Sequence, residues 1–339
     1  MKILGVHIGH DSGASLIIDG KIIADVAEER FVRIKHFAGL PSHSVDYCLK
    51  TGKISIEDID HLAIPAIQSS YSLGFLFDNL SFPNTCGVKF KKLIKMELEK
   101  RHVLPLIKPP LYIKKFSLDK KIKIFNTEHH LAHAASAYYT CGSLEKQLIV
   151  TIDGTGDGYS ICIWRGENGT ITPLKKFSSV ASIGWFYSNV TEALGWWHGD
   201  GEGKTMGLAP YGKSENVRGL LDPFYPKFKD GDLIEPHNFG RPYNFNENGS
   251  IQWHFDEAFE IKKLVDKYGP EDIAAEAQRV LEEQVINIVF PWLERENTKN
   301  LCCAGGVFLN VKLNQRIWYS GKVIHQHIFP NPGDSGLSL

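Results

Sequence analysis

Lys2-Ile3-Leu4-Gly5-Val6-His7-Ile8-Gly9-His10-Asp11-Ser12-Gly13-Ala14-Ser15-Leu16-Ile17-Ile18-Asp19-Gly20 opens the chain. Ile3 to Ile8 reads as a buried strand, His10 to Gly13 as a turn and Ala14 to Ile18 as a second strand. Asp19-Gly20 is a hairpin turn, and Ile22 to Ala27 is a third strand. The plan returns later. Leu148 to Ile152 is an apolar strand ending at Asp153-Gly154-Thr155-Gly156-Asp157-Gly158, Tyr159 to Trp164 is the next strand, and Asn168-Gly169 is its hairpin turn. Strand, Asp-Gly turn, strand and hairpin, met twice, imply an internal duplication.

The 339 residues suffice for two domain-sized units or one large duplicated fold. With 43% hydrophobic and 23% charged residues, a soluble chain with a sizeable core is expected. A formal net charge of -1 and a pI of about 6.9 offer no general nucleic-acid or membrane surface. No uninterrupted apolar run is long enough to span a bilayer, and His and Asp interrupt the N-terminal run too early for a signal peptide. The six cysteines show no CxxC spacing, so a reduced, cytoplasmic protein is expected.

Between the repeats, residues 42–51 read as a helix, and 54–64 as a turn entering a strand. Residues 68–119, broken by Pro83, Pro105, Pro109 and Pro110, read as an insertion or lid, with Lys89 to Arg101 a solvated basic helix face. Lys123 to Phe125 is a short strand, residues 183–197 are helical and residues 222–258 are loop-like. Glu271 to Leu293 is a long amphipathic helix with Ala274, Ala277, Leu281, Val285 and Ile288 on one face. Leu301 to Ala304 is a strand, Gly305-Gly306 a turn, Leu309 to Tyr319 a helix and Val323 to Phe329 the last strand.

Four residues point to chemistry. His129 and His133, in Glu128-His129-His130-Leu131-Ala132-His133-Ala134, are spaced i, i+4 on one helix face and are able to share a metal. Asp153 ends an apolar strand before a run of glycines, and Asp334 sits in Pro332-Gly333-Asp334-Ser335-Gly336. If they converge, they form a two-His, two-carboxylate site for a divalent metal beside a phosphate-binding scaffold. His130 points about a quarter turn away, to pack or make a hydrogen bond. His10 is suited to act as a general base or to orient substrate, Asp11 to hold a metal or a nucleophile, and Ser12 and Gly13 to donate to phosphate; a capping turn would use the same residues. Gly201-Glu202-Gly203-Lys204-Thr205-Met206-Gly207 contains the letters Gly-Lys-Thr, but its glycine spacing and the lack of a preceding strand exclude a P-loop, leaving a ligand loop. Strand, Gly305-Gly306, then a helix with Asn310 lets a nucleotide approach the backbone closely.

Taken in order, these segments resemble the N-terminal, Kae1-like domain of the NodU/CmcH-type O-carbamoyltransferases, a group that includes the tobramycin carbamoyltransferase. The matching segments are His10-Asp11, His129 to Ala134, Asp153 to Gly156, Glu202 to Gly212, Gly305 to Asn310 and Pro332 to Gly336, and they cover essentially the whole chain. The resemblance implies an α/β fold of the actin-like ATPase (ASKHA) class, two-lobed and built from a duplicated ribonuclease H-like unit. Residues 1–145 would form the first lobe, with the insertion at about 68–119, and residues 146–339 the second lobe with the nucleotide site. It also implies a metal, Fe(II), on His129, His133, Asp153 and Asp334. Ser12, Gly13, Gly154, Gly156, Gly207, Gly305, Gly306 and Asn310 would serve ATP or carbamoyl-adenylate, Glu202 and Lys204 would contact ribose or phosphate, and His10, with Asp11, would stand at the acceptor hydroxyl. The implied reaction transfers a carbamoyl group from carbamoyl-adenylate, made from carbamoyl phosphate and ATP in a YrdC-like domain, to a hydroxyl of a sugar or natural product. The sequence stops at Gly336-Leu337-Ser338-Leu339, where the family runs on. The expectation is therefore a fold without its closing C-terminal helix and without the YrdC-like domain, dependent on a separate YrdC-like partner and open to forming a homodimer. Two alternatives are a TsaD/Kae1-like subunit for tRNA threonylcarbamoylation, disfavoured by the near-neutral charge, and a non-catalytic nucleotide-binding remnant. No HExxH is present for a metallopeptidase.

Overall fold

Asx-Gly pairs turn the chain wherever the sequence repeats its plan. Asp19-Gly20 has φ of 49° and 77°, and Asn168-Gly169 has 51° and 75°. Positive φ at both central residues matches the right-handed twist of the flanking strands, which makes these tight hairpin turns. The computed structural model describes residues 1–65, 122–239, 244–245, 251–253 and 256–339. The expected insertion at about 68–119, with the basic stretch Lys89 to Arg101, lies outside them. The described residues divide into two units: 1–65, 122–136 and 330–339 form one, and the remainder of 137–329 the other.

In the first unit, β1 (Lys2–His7), β2 (Gly13–Ile18) and β3 (Lys21–Ala27) form an antiparallel meander. β4 (His61–Pro65) pairs parallel with β1, and β5 (Lys123–Thr127) parallel with β4, giving the order β3-β2-β1-β4-β5. The short helix α1 (Glu29–Val32) and then α2 (Ser42–Gly52) follow the meander. Val45 and Cys48 of α2 join Leu4, Val6, Ala14, Leu16 and Leu62 in the core. Because Pro41 offers α2 no side-chain cap, the buried Glu28 carboxylate does so instead: it accepts from the backbone N–H groups of His43 (3.1 Å) and Ser44 (2.8 Å). α3 (His129–Thr140) follows β5.

The second unit repeats the topology. β6 (Gln147–Gly156), β7 (Tyr159–Glu167) and β8 (Thr170–Ser178) form the meander, and β13 (Asn300–Ala304) and β14 (His325–Ile328) extend the sheet in parallel to give β14-β13-β6-β7-β8. The helices are α4 (Ile183–Ala193), α5 (Glu202–Leu208), α6 (Glu257–Tyr268), α7 (Pro270–Arg295) and α8 (Val311–Tyr319). The expected face of α7 is fully buried, and Ile273, Val280, Val289 and Leu293 widen it, while Glu283 and Glu294 stay exposed on the other side. Two parts of the sequence reading are corrected. The run Gly199 to Gly212 is not an open loop but contains α5 and a 3-10 turn, because Gly203 and Gly207 face solvent, where a missing Cβ leaves helix formation possible. Residues 222–258, read as loop, contain the short pairs β9 (Lys227–Lys229) with β10 (Asp232–Glu235), and β11 (Asn244–Phe245) with β12 (Ile251–Trp253). Runs of two to four residues are too short to show an alternating pattern. Two five-stranded sheets with matching order give the duplicated actin-like fold that the sequence implied.

Candidate functional site

In the first unit, α3 begins at His129, so one turn carries His129, His130 and His133. All three are buried, and the rings of His129 and His133 lie 4.8 Å apart. His130 makes edge-on ring contacts with both. Asp334 enters from the 3-10 turn Asp334–Gly336. Its Oδ1 lies 3.6 Å from His129 Nε2 and 3.4 Å from His133 Nε2. These distances are long for a charge-assisted hydrogen bond, at roughly 2.7–2.9 Å. Atoms sharing one ion at about 2.1 Å stand roughly 3.0–3.4 Å apart; the His133 distance falls in that range and the His129 distance lies slightly above it. Two imidazole nitrogens and a carboxylate oxygen are also the donor chemistry of a borderline divalent metal.

Asp334 Oδ2 faces away from that pair, 3.3 Å from His10 Nε2. His10 Nδ1 lies 2.8 Å from Asp11 Oδ2, and Asp11 Oδ1 lies 2.7 Å from His36 Nδ1. Asp11 thus bridges two imidazoles, at a φ of 58° that aspartate tolerates better than most residues. Burial works against its charge, but the hydrogen bonds from His10 and His36 prevail and hold its pKa well below the usual carboxylate range. An ionised Asp11 fixes the His10 proton on Nδ1. Beneath them, buried His7 donates from Nε2 to the His10 carbonyl at 2.9 Å, and burial pushes its pKa down to about 4, so it is neutral at pH 7. Ser12 N–H donates to Phe37 O (3.0 Å), while its buried Oγ makes no hydrogen bond among the described residues. Gly13 answers to packing, since a Cβ there would meet Val26 O at 2.9 Å.

In the second unit, the β6–β7 register shifts between Ile152 and Gly156, so Asp153-Gly154-Thr155 forms a bulge ahead of the tight turn Asp157-Gly158. The bulge re-aims Asp153, whose Oδ1 accepts from Gly154 N–H at 2.8 Å. The neighbouring glycines make room for it. A Cβ on Gly184 would fall 2.8 Å from Asp153 O, and one on Gly306 3.2 Å from Asp153 Oδ1. Ser182 ties the bulge to α4: its Oγ caps the helix by accepting from Trp185 N–H (3.0 Å) and donates to Gly154 O (2.6 Å). Gly156 pairs with Tyr159 at the hairpin. Gly305 has φ 97° and crosses so close to Ile152 O that a side chain is excluded. Asn310 caps α8 through Leu313 N–H (2.9 Å) and exchanges amide hydrogen bonds with Gln278, whose Oε1 also accepts from Tyr187 at 2.8 Å. Glu202 Oε1 accepts from Ser188 Oγ and Gly199 N–H, each at 2.8 Å, whereas Lys204 and Gly207 are exposed on α5.

The structure therefore brings His10, Asp11, His129, His133 and Asp334 together in one unit and sets Asp153, Gly154, Gly305, Gly306 and Asn310 around β6 and β13 in the other. Sequence reasoning missed His7, His36, Ser182, Gln278 and Tyr187. Only Ser182, an N-cap residue before an apolar helix, carried a local signal.

The sequence profile described as Carbamoyltransferase N-terminus matches residues 2–339. An uncharacterized protein of Synechocystis is 32% identical over 97% of this chain and 54% of its own length. The nodulation protein NolNO of Sinorhizobium fredii is 31% identical over 97% of this chain and 45% of its own. The chain thus spans about half the length of the curated relatives it matches. Component A of the (R)-2-hydroxyglutaryl-CoA dehydratase of Acidaminococcus fermentans, a solved structure, aligns over 100% of this chain and 95% of its own with a TM-score of 0.53 at 15% identity, a likeness of fold. A motif order legible from His10 to Asp334, the duplicated fold and a profile match along nearly the full length agree: the chain belongs to the carbamoyltransferase N-terminal family.

Proposed function

We propose that this chain is the group-transfer module of a carbamoyltransferase. It takes carbamoyl-adenylate and passes the carbamoyl group to a hydroxyl of a sugar or natural-product acceptor, releasing AMP. The observation that carries this reading is the His129, His133 and Asp334 arrangement, in a chain of this family. Asp153, re-aimed by its bulge, is proposed as the fourth ligand. Two imidazoles and two carboxylates suit Fe(II). When bound, the ion supplies Lewis-acid polarisation of the adenylate phosphate.

The remaining roles fall to the chain itself. Ser12 offers its Oγ to the phosphate, which Gly13, Gly154 and Gly156 border, while Gly305, Gly306 and Asn310 border the nucleoside. Glu202 and Lys204, with Gly207, serve the ribose or phosphate. Asp11 holds the proton of His10 on Nδ1, which leaves Nε2 to take the proton of the acceptor hydroxyl. The hydroxyl oxygen attacks the carbamoyl carbon, the carbon–oxygen bond to the adenylate breaks, and AMP leaves with that electron pair. Carbamoyl-adenylate is proposed to come from carbamoyl phosphate and ATP on a YrdC-like domain or partner. The test incubates Fe(II)-loaded protein with carbamoyl-adenylate and a panel of polyhydroxylated acceptors. Carbamate ester and AMP in equal amounts are expected. No ester with any acceptor, from protein that retains no metal, overturns the reading.

A further inference from the structure

Asp334 lies in the last 3-10 turn of the chain, and something must fix that turn if the carboxylate is to meet His129 and His133. The feature that does so is a row of three residues in register across the first sheet. Gly5 of β1 faces Ser15 of β2, and Ser15 faces Asp25 of β3. All three meet Ser338. Ser15 Oγ donates to the Ser338 carbonyl, and Ser338 Oγ donates to Asp25 Oδ1 at 3.2 Å. At Gly5 there is no space for a side chain, because a Cβ would fall on the Ser338 carbonyl oxygen. Ser15 and Ser338 are buried, as is the neighbouring Leu337. Because side chains alternate along a strand, this row lies on the face opposite Leu4, Val6, Ala14 and Leu16, which fill the core with Val45 and Cys48 of α2.

We propose that Gly5, Ser15 and Asp25 form a docking seat for Leu337 and Ser338, and that Ser15 and Asp25 are positioning residues for Asp334. The glycine admits the backbone and the two polar side chains fix its register. From Ser338, one turn of chain leads back to Asp334. A slip of that segment would turn Asp334 Oδ1 away from the two imidazoles, although no seat residue touches them. This inference rests on the metal-site reading, but the seat itself is observable without any metal.

The test measures two things on the full chain: Co(II) affinity, followed by the visible spectrum of the bound ion, and hydrogen exchange of the amides of residues 334–339. Gly5→Ala is expected to weaken Co(II) binding by on the order of tenfold or more, since the backbone cannot reach its place. Ser15→Ala and Asp25→Ala are each expected to weaken it about fivefold, as for one net hydrogen bond. In all three, exchange at 334–339 rises while exchange in β1 and β4 stays as in the parent. Asp25→Asn keeps an acceptor for Ser338 and is expected to restore both readouts. If Gly5→Ala does not fold, the pair Asp25→Ala and Asp25→Asn decides. Folded variants with parental exchange at 334–339 overturn the seat. Asp334→Ala, measured alongside, separates the two claims: Co(II) binding equal to the parent's would overturn the metal site, and the exchange data would still judge the seat.

Discussion

Asp25 links that seat to pH. Burial pushes its pKa up to about 6 from an ordinary value of 3.8, and the hydrogen bond from Ser338 only partly offsets this. The folded chain therefore keeps the Asp25 proton to higher pH than the unfolded chain does. Where the folded state binds more protons, stability falls as pH rises. The contribution is fully favourable below pH 3.8, declines through the window up to about 6 and is absent above it. At 1.36 kcal/mol per pH unit, that interval corresponds to about 3 kcal/mol, and water reaching the partly exposed carboxylate reduces the expected effect to about 2 kcal/mol. Asp25→Asn removes the titration while keeping an acceptor for Ser338. Parent and variant should be compared by urea unfolding from pH 4.5 to 8 with chelator present, so that other titrating groups cancel in the difference. Asp25→Asn should gain on the order of 1 kcal/mol on the parent between pH 4.5 and 8, with the change complete by about pH 6. A difference that stays flat with pH refutes the burial argument, and one that falls with pH refutes its sign.

Other expectations follow from the same geometry. His133→Ala should lose the metal, by about a hundredfold or more in affinity, whereas His130→Gln should keep it, measured as bound Fe(II) or Co(II) per chain. His10→Gln keeps a polar side chain beside Asp11 but no base, so metal content should persist while transfer falls on the order of a hundredfold; equal loss of both would assign His10 to holding Asp334 alone. Gly184→Ala should destabilise the second unit by about 1–3 kcal/mol through the clash with Asp153 O, seen as a lower urea midpoint. An unchanged midpoint would show that the bulge yields freely.

Much of this was legible because the signals are local. Asp19-Gly20 and Asn168-Gly169 announce their turns by residue type, the apolar periodicity of α7 names its buried face, and His129 and His133 share a helix face by spacing alone. The repeat of these local signals exposed the duplication. What stayed hidden depends on distant pairing. His36 reaches Asp11 across 25 positions in a loop with no periodic pattern. The bulge at Asp153 exists only relative to the register of β7. The packing demands on glycine were equally hidden: Gly13, Gly184 and Gly305 each stand against backbone from a distant element, which residue type alone does not reveal. Gly5 and Asp25 drew no functional reading, because their partner Ser338 lies more than 300 residues away.

One titration tests the metal centre most directly. Co(II) added to the parent chain should bind at one equivalent, with a visible spectrum of mixed nitrogen and oxygen ligation, and His129→Ala, His133→Ala, Asp153→Ala and Asp334→Ala should each weaken that binding and alter the spectrum. A parent that takes up no ion, or four variants that bind as the parent does, would contradict it.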